Sequence, residues 1–310
     1  MMSIHGVLGE TTSYPTTYDP SVLYPIPRQI GRSDIIKASA KSQPQFDGSI
    51  LKNGVDWWHA FEVSWLNPQG ISQMAISRFT IPANTPNIVE SKSLKLYLNS
   101  LNFTEFEDWQ TVKNTIQGDL SACVDGQVKV ELFDIENRAL TDFAIAKPEG
   151  RCIDEALNGD DVTTLKDNNE KVVLTKDPDA RLLLPSSNVQ RDYQQVNEKN
   201  YYVYSNLLRS NCPVTNQPDW GTLEIAMQLS PDAKAVPQDA DILRYVLSYR
   251  QHNGFHEQCV EQIFADLSQA FEPNSLMVRA WYTRRGGIDI NPCRVSDLRL
   301  LPAPSRLVRQ

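Results

Sequence analysis

Along the first half of the chain, the spacing between hydrophobic residues changes from two positions to three or four. Residues 56–66 (DWWHAFEVSWL) are dense in aromatic and β-branched side chains, and residues 74–82 alternate apolar with polar positions. Both patterns are typical of strands, so they predict a hairpin. Residues 93–101 fit a helix, and residues 128–132 alternate as a strand. Between these two segments, four apolar residues at helical spacing predict a second helix: Trp109, Val112, Ile116 and Leu120.

The second half repeats this order. Residues 200–208 and 222–229 predict paired strands, and residues 242–249 begin a helix. The segment 256–271 (HEQCVEQIFADLSQAF) places its apolar residues on one face and predicts a stronger helix. Residues 276–282 then predict a strand. Serines at equivalent helix positions, Ser100 and Ser248, lie 148 residues apart, which indicates an internal duplication.

These elements predict the α+β class, with tandem ββααββ modules whose antiparallel sheets carry helices on one face. Residues 1–50 are rich in Ser, Thr, Pro and Tyr without sustained periodicity, and we interpret them as an extended N-terminal arm. The N-terminal module is predicted over 51–140 and the C-terminal module over 199–310. The polar residues 141–198 are predicted to be a linker or surface excursion.

Composition restricts the classes of function. The 310 residues are 41% hydrophobic and 22% charged, which excludes a wholly disordered chain. A net charge of -8 argues against a nucleic-acid partner, since phosphate backbones are bound mainly by positive charge. Without a signal peptide or a long apolar span, the chain is predicted to be soluble, with no membrane partner. Five cysteines without a CxxC pair predict neither a disulfide framework nor a metal site, so we expect a cytoplasmic protein.

The segment most suggestive of chemistry is the loop between the strands of the second hairpin. If those strands pair, Cys212 and Asp219 lie at its two ends, where a thiol nucleophile and a proton carrier would be neighbours. We expect shielding to raise the proton affinity of Asp219, so that it can hold a proton and deliver it. The alternatives are a cysteine packed as a small apolar residue and an aspartate that serves a turn after Pro218.

Three further segments offer binding groups, each with a structural alternative. Residues 89–97 (VESKSLKLY) open a helix, where Ser and Glu serve equally well as caps and the lysines as a solvated face. In residues 255–257 (FHE) an aromatic ring can stack on a planar ligand and a carboxylate can accept two hydrogen bonds, although Glu also suits a helix N-terminus. Residues 282–287 (YTRRGG) suit a phosphate or an exposed turn. Rossmann, Walker, zincin and serine-hydrolase motifs are absent from the sequence.

Taken together, these segments resemble the QueF-type nitrile reductases, the NADPH-dependent 7-cyano-7-deazaguanine reductase family, in its bimodular form. The run ESKSLKLY at 90–97 matches the family signature E-[SL]-K-[SA]-h-K-[LY]-[YFW]. The 212–219 loop, the FHE step at 255–257 and RRGGIDINP at 284–292 follow in the expected order. The resemblance extends from about residue 55 to the C-terminus, and it implies the tunnelling fold.

The resemblance also implies a reaction and a site. Cys212 would attack the nitrile to form a covalent thioimide, Asp219 would protonate the nitrogen, and two NADPH would reduce it to 7-aminomethyl-7-deazaguanine for queuosine synthesis. The deazapurine substrate would be bound by six residues: Val89, Glu90, Ser91, Phe255, His256 and Glu257. NADPH would be bound by Ser91, Lys92, Arg285 and Gly286. Because these residues fall in both modules, we expect a site at a module interface and a homodimer as the working unit.

Two other functions remain open at the level of sequence. One is a hydrolase or transferase that uses Cys212 on a purine without NADPH, and the other is a catalytically silent purine-binding protein with Cys212 packed inside. The Arg285–Gly286 pair favours the reductase, since neither alternative needs a site for a second, phosphorylated ligand.

Overall fold

One eight-stranded sheet runs through both halves of the chain. The structure, a computed structural model, describes residues 14–39, 46–137, 143–157, 177–184, 200–230, 233 and 235–310. Its strands are β1 (Pro25–Pro27), β2 (Gly54–Leu66), β3 (Ser72–Pro82), β4 (Asn87–Val89), β5 (Lys129–Phe133), β6 (Ile145–Ala146), β7 (Arg151–Cys152), β8 (Asn200–Asn211), β9 (Pro218–Gln228), β10 (Ser275–Tyr282), β11 (Ile288–Val295) and β12 (Arg306–Leu307). Its α-helices are α1 (Arg28–Ser39), α2 (Ser91–Ser100), α3 (Trp109–Val124), α4 (Asp239–Ser248) and α5 (His256–Phe271).

The strand order in the large sheet is β5-β3-β2-β11-β10-β9-β8-β7. Every pairing is antiparallel except the short β7–β8 pair at the edge. The predicted α+β class with mostly antiparallel strands is therefore confirmed. The two halves share a single sheet, because β11 of the second half pairs with β2 of the first. After the helix pair of the first half, the described residues up to 137 contain one strand, β5, where the predicted module has two.

The helices α2 to α5 pack on the same face of this sheet. Trp58 and Phe79 are register partners in the core under α2 and α3. Val278 and Ile225 are register partners in the core under α4 and α5. On β11, Ile290 is the register partner of Trp58 and Arg294 is the register partner of Val278. Because side chains alternate along a strand, Ile290 and Arg294 lie on the same face of the sheet. Trp58 and Ile290, which line the cleft described below, therefore lie on the helical face of the sheet.

The predicted duplication has a structural counterpart in the two helix pairs. The hydroxyl groups of Ser100 and Ser248 each donate to the carbonyl oxygen three residues earlier, at 2.6 Å in both cases. Those preceding residues are tyrosines, and each donates its phenol to a carboxylate of the next helix at 2.5 Å. The pairs are Tyr97 with Asp119 and Tyr245 with Asp266.

The prediction of a wholly extended arm over residues 1–50 is wrong for part of that segment. β1 pairs with β4, and the twelve residues of α1 form a helix that contacts α5. Within residues 141–198, for which we predict a linker or surface excursion, β6 pairs with β12 and β7 extends the main sheet at β8. Residues 158–176 and 185–199 lie outside the described part of the chain. Within the described residues, no helix is both long and apolar enough to cross a membrane.

Candidate active site

A cleft at the seam between the two halves brings together most of the predicted site residues. The space between its walls, counting the part that is open to solvent, is about 710 Å³. The first half contributes β4 and the start of α2, and the second half contributes the β8–β9 loop, the start of α5 and the turn between β10 and β11. Its walls are formed by Trp58, Ile88, Val89, Ser91, Lys95, Cys212, Pro213, Thr215, Asp219, Gly254, Phe255, His256, Glu257, Thr283, Arg285, Ile288 and Ile290.

Cys212 lies at the first position of the β8–β9 loop. Its backbone N–H donates to the carbonyl of Gln217 at 2.9 Å, and its own carbonyl accepts from Asn216 at 3.0 Å, so the loop closes on itself directly after the strands. Asn216 adopts a left-handed conformation, with φ of 54°, that reverses the chain. The Cys212 side chain is half-buried and lines the cleft. A partly exposed thiol on a rigid hairpin end has the access that a nucleophile needs.

Asp219 is buried at 5% exposure on β9, where it lines the same cleft. Its carboxylate accepts from Arg285 and lies 3.4 Å from Nε2 of His256. Burial raises the pKa of Asp219, but the hydrogen bond and positive charge of His256 and the charge of Arg285 outweigh it, so the net pKa is lowered. The expectation that shielding leaves Asp219 with a raised proton affinity is therefore wrong: its contacts with His256 and Arg285 favour the ionised form.

The start of α5 presents Phe255, His256 and Glu257 to the cleft. The His256 ring stacks on Tyr282, with ring centroids 3.8 Å apart and planes 14° apart, which directs Nε2 toward Asp219. His256 therefore belongs with the acid, rather than only with the substrate-holding residues predicted from the sequence. Phe255 is half-buried at the N-cap position of the helix, where its N–H donates to the Gln258 side chain.

Glu257 is an incompletely paired carboxyl group in this wall. It is 3% exposed, and its Oε1 has no hydrogen-bond partner among the described residues. Burial, together with repulsion from Asp56, raises the pKa of Glu257 to about 7, although His256 and Arg28 act in the opposite direction. Native buried polar atoms without a partner are rare, so this oxygen is well suited to a ligand N–H.

The predicted site residues at the start of α2, the helix of the signature motif, differ in whether they line the cleft. Val89 and Ser91 line the cleft. Glu90 lies behind the wall, 1% exposed, and its two carboxylate oxygens accept from the N–H groups of Lys92 at 2.8 Å and Ser93 at 2.7 Å. Glu90 therefore caps the helix, which is the alternative role that the sequence allowed for it. That it contacts the substrate stays a prediction. Lys92 is half-buried and is not among the residues that line the cleft.

Lys95 is a functional candidate that sequence reasoning missed. It lines the cleft and also a neighbouring pocket that includes Gly286 and Gly287. Burial and repulsion by Arg285 lower its pKa, whereas attraction to Glu90, Asp219 and Cys212 opposes that shift. The signature motif contained this lysine, but helical spacing alone did not distinguish it from Lys92, three residues earlier. Trp58 was likewise predicted only as a strand residue, although its indole is a cleft wall.

The turn between β10 and β11 has the character of an anion site. Gly286 and Gly287 have φ of 56° and 75°, which favours glycine, and a Cβ on Gly286 would lie 3.1 Å from Cε of Lys95. Arg285 of this turn donates to Asp219 and to the Gln217 side chain. Two cations beside exposed glycine backbone fit the phosphates of a dinucleotide without a Rossmann loop. Among the described residues, no group of three or more His, Cys, Asp and Glu side chains is arranged to hold a metal ion.

Fold and site together define an α+β protein with a cleft between its halves that is lined by a half-buried thiol, Cys212. Residues 14–132 match a family model described as the N-terminal part of nitrile reductase, 7-cyano-7-deazaguanine reductase, and residues 218–299 match one described as a QueF-like protein. Two similar curated proteins are NADPH-dependent 7-cyano-7-deazaguanine reductases. The one from Psychrobacter arcticus is 59% identical over 100% of both chains, and the one from Acinetobacter baumannii is 48% identical over 98% of both. The chain belongs to the 7-cyano-7-deazaguanine reductase family, as the resemblance predicted. The N-terminal match begins at residue 14, so the family likeness also covers most of the arm.

Proposed function

We propose that this protein reduces the nitrile of 7-cyano-7-deazaguanine to the primary amine, 7-aminomethyl-7-deazaguanine, with NADPH as the reductant. The observation that carries the proposal is that Cys212, the Asp219–His256 pair and the unpartnered carboxyl of Glu257 line one cleft. Family membership and the names of the relatives support the same reaction. The product then serves queuosine synthesis.

The cleft suits a flat, deazaguanine-like ring. Its walls include the apolar side chains of Trp58, Val89 and Ile290, and Phe255 offers an aromatic face for stacking. Glu257, when ionised, accepts two hydrogen bonds from the adjacent N–H groups of a guanine-type edge. Burial excludes water from that contact, so the carboxylate discriminates against rings that lack these donors.

The first chemical step is nucleophilic addition by Cys212. The thiolate sulfur forms a bond to the nitrile carbon, and one π bond of the C≡N group takes up a proton at nitrogen, which gives a thioimide. Loop closure at Cys212 and Gln217 holds the sulfur in place. Addition is complete without a leaving group, so the protein gains the full mass of the substrate.

The proton reaches the nitrile nitrogen through the Asp219–His256 pair. Asp219 favours its ionised form while Arg285 and His256 contact it, and its carboxylate lies 3.4 Å from Nε2 of His256, which offers a short route for a proton between the two groups. Stacking on Tyr282 fixes the orientation of the His256 ring for this transfer. The role of proton donor, which the resemblance implies for Asp219 alone, is therefore assigned to Asp219 and His256 acting together.

The redox balance requires two hydrides and two protons for each nitrile. NADPH, when bound, supplies hydride, one for each of two reductive steps. Lys95, Arg285 and the backbone at Gly286 would hold its phosphates, with Ser91 and Lys92 at the neighbouring end of α2. After the first reduction the C–S bond breaks, which returns the Cys212 thiolate, and the cleft retains the imine until the second reduction gives the amine.

Intact-mass spectrometry tests the covalent step. Wild-type protein is incubated with 7-cyano-7-deazaguanine but no NADPH, beside Cys212→Ala and the matched control Cys152→Ala, whose exposed thiol lies outside the cleft. We expect an adduct equal to the substrate mass on wild type and on the control, but not on Cys212→Ala. Addition of NADPH should discharge the adduct and consume two NADPH for each amine formed.

Other outcomes would contradict the proposal. Turnover of a purine without NADPH would indicate a hydrolase or transferase. Binding of the nitrile without an adduct or turnover would indicate a silent binding protein.

We also propose that the halves are tunnelling-fold modules and that two chains associate into a homodimer. Among the described residues β5 and β7 are the edge strands of the sheet, and this observation and the internal repeat of the helix pairs support the assembly. Light scattering coupled to size-exclusion chromatography should give twice the chain mass. A monomer that is fully active would refute it.

A further inference from the structure

The β8–β9 loop that presents Cys212 is held in different ways at its two ends. At the first end, the N–H of Asn211 donates to the carbonyl of His252 at 2.7 Å, and the carbonyl of Asn211 accepts from the N–H of Gly254 at 3.1 Å. The second end begins β9 with Pro218, the register partner of Asn211, which has no N–H to donate to the strand ladder. Main-chain bonds therefore fix the first end more completely than the second.

The guanidinium group of Arg285 bonds to this second end at two points. Nη1 donates to the carboxylate of Asp219, and Nη2 donates to the side-chain oxygen of Gln217. Gln217 in turn accepts the N–H of Cys212 at its backbone carbonyl, at 2.9 Å. Arg285 is therefore bonded directly to Asp219 and is connected to the nucleophile through a single residue, Gln217.

The backbone of the β10–β11 turn carries Arg285 to this position. All eight residues of β10 pair with β9, and beyond them the N–H of Thr283 donates to the carbonyl of Trp220 at 2.8 Å. The N–H of Arg285 donates to the carbonyl of Ile288 at 2.9 Å, and its carbonyl accepts from the N–H of Ile288 at 3.3 Å, which closes the turn. The planar guanidinium then presents its two terminal nitrogens in a fixed fork, which suits two acceptors at once.

We propose that Arg285 is a positioning residue for the covalent step: its guanidinium fixes Asp219 and Gln217, and through Gln217 it holds Cys212 for attack on the nitrile. The inference deepens the proposed function and rests on it. In this step a bond forms between sulfur and the nitrile carbon, and the thiol proton ends on the nitrile nitrogen, without a leaving group or a redox change. The step needs no NADPH, so this role of Arg285 is separable from its contact with the cofactor phosphates.

The test measures adduct formation by intact mass in the absence of NADPH. Varying the concentration of 7-cyano-7-deazaguanine gives a maximal rate constant and an apparent dissociation constant. Arg285→Gln should lower the maximal rate constant about tenfold to a hundredfold, with a smaller change in the dissociation constant, because displacement of a reacting group by about 1 Å costs about that much. Calorimetry of NADPH binding and the melting temperature are recorded for the same proteins.

The neighbouring arginine provides the matched control. The Cζ atom of Arg284 lies 4.2 Å from the centroid of the Phe61 ring, and Arg284 is not among the residues that line the cleft. Arg284→Gln removes the same charge from the same turn and should form the adduct at the wild-type rate. Arg285→Lys, which keeps a cation and a donor for Asp219, should restore part of the rate that Arg285→Gln loses.

Gln217→Ala tests the connection to the loop without altering Arg285. Gln217 is exposed, so the substitution leaves the core untouched, and it should slow adduct formation less than Arg285→Gln does. Because Arg285 acts in part through Gln217, the double variant should be less impaired than the product of the two single effects.

An Arg285→Gln protein that forms the adduct at the wild-type rate but binds NADPH weakly would show that Arg285 serves the cofactor alone, and would overturn the inference. A wild-type rate in Gln217→Ala, or equal slowing in Arg284→Gln and Arg285→Gln, would overturn it as well. Failure of the proposed function would be seen separately, as a wild-type protein that neither forms the adduct nor oxidises NADPH in the presence of the nitrile.

Discussion

The carboxyl group of Glu257 should make substrate affinity depend on pH within the neutral range. Burial and the neighbouring Asp56 raise its pKa to about 7. The ligand-binding form is the carboxylate, since only that form accepts two N–H bonds. Affinity should therefore be low below the pKa, where the group is protonated, and should rise as the pH increases through it.

The size of the effect follows from the pKa. A group with a pKa near 7 is ionised to roughly 10% at about pH 6 and to roughly 90% at about pH 8. If only the ionised form binds, KM for 7-cyano-7-deazaguanine should fall about tenfold between those two pH values. The pKa of Asp219 is lowered, so its ionisation is complete before this range begins.

The assay is NADPH oxidation at varied nitrile concentration, with calorimetric binding of the nitrile as a second measure. Glu257→Gln keeps the size and one acceptor oxygen but does not titrate. Its KM should be about tenfold or more above the wild-type value at about pH 8, in line with the loss of a charge-assisted hydrogen bond, and should no longer follow the ionisation of the wild type. A tenfold fall of KM that persists in Glu257→Gln would assign the titration to another group and refute the reasoning.

Two further predictions concern the scaffold of the site. Gly286→Ala forces a side chain into a left-handed conformation and toward Lys95, so KM for NADPH should rise and the free energy of unfolding should fall by about 1 kcal/mol. Gly118→Ala, which has open space on α3, should instead raise the free energy of unfolding by about 0.5–1 kcal/mol. Urea denaturation and steady-state kinetics measure these changes, and equal effects of the two variants would contradict the turn argument. Tyr245→Phe removes the phenol that donates to the buried Asp266 carboxyl, so unfolding free energy should fall by about 1–3 kcal/mol, and an unchanged urea midpoint would show that Gln262 alone satisfies that carboxyl.

The long strands and the helix pairs were predictable because their buried faces are apolar. Helix α1 was not, since the four residues that it buries at helical spacing are Arg28, Arg32, Ile35 and Ser39. Hydrophobic periodicity detects only one of them. The arginines are buried because carboxylates from β2 and α5 meet them, and no local pattern in the arm contains that information.

The site shows the same division. The sequence indicated four segments, and each of them contributes residues to one cleft. It did not predict which of the adjacent residues in a segment line the cleft and which support the fold. Glu90 caps a helix, whereas Lys95 rather than Lys92 lines the cleft. The direction in which the Asp219 pKa shifts depends on His256 and Arg285. These residues are 37 and 66 positions away in the chain, so reasoning from one loop could not predict it.

Duplication followed by divergence explains why the cleft lies between the halves. The tyrosine–aspartate and serine contacts of the helix pairs recur in both, so the scaffold is shared. The chemical groups do not recur: the loop between β8 and β9 holds Cys212, whereas the corresponding loop between β2 and β3, residues 67–71, reads NPQGI without a thiol or an acid. Conversely, the signature helix start belongs only to the first half. Neither half contains a complete set of groups, and the β2–β11 pairing that joins them into one sheet is therefore the contact that assembles the site.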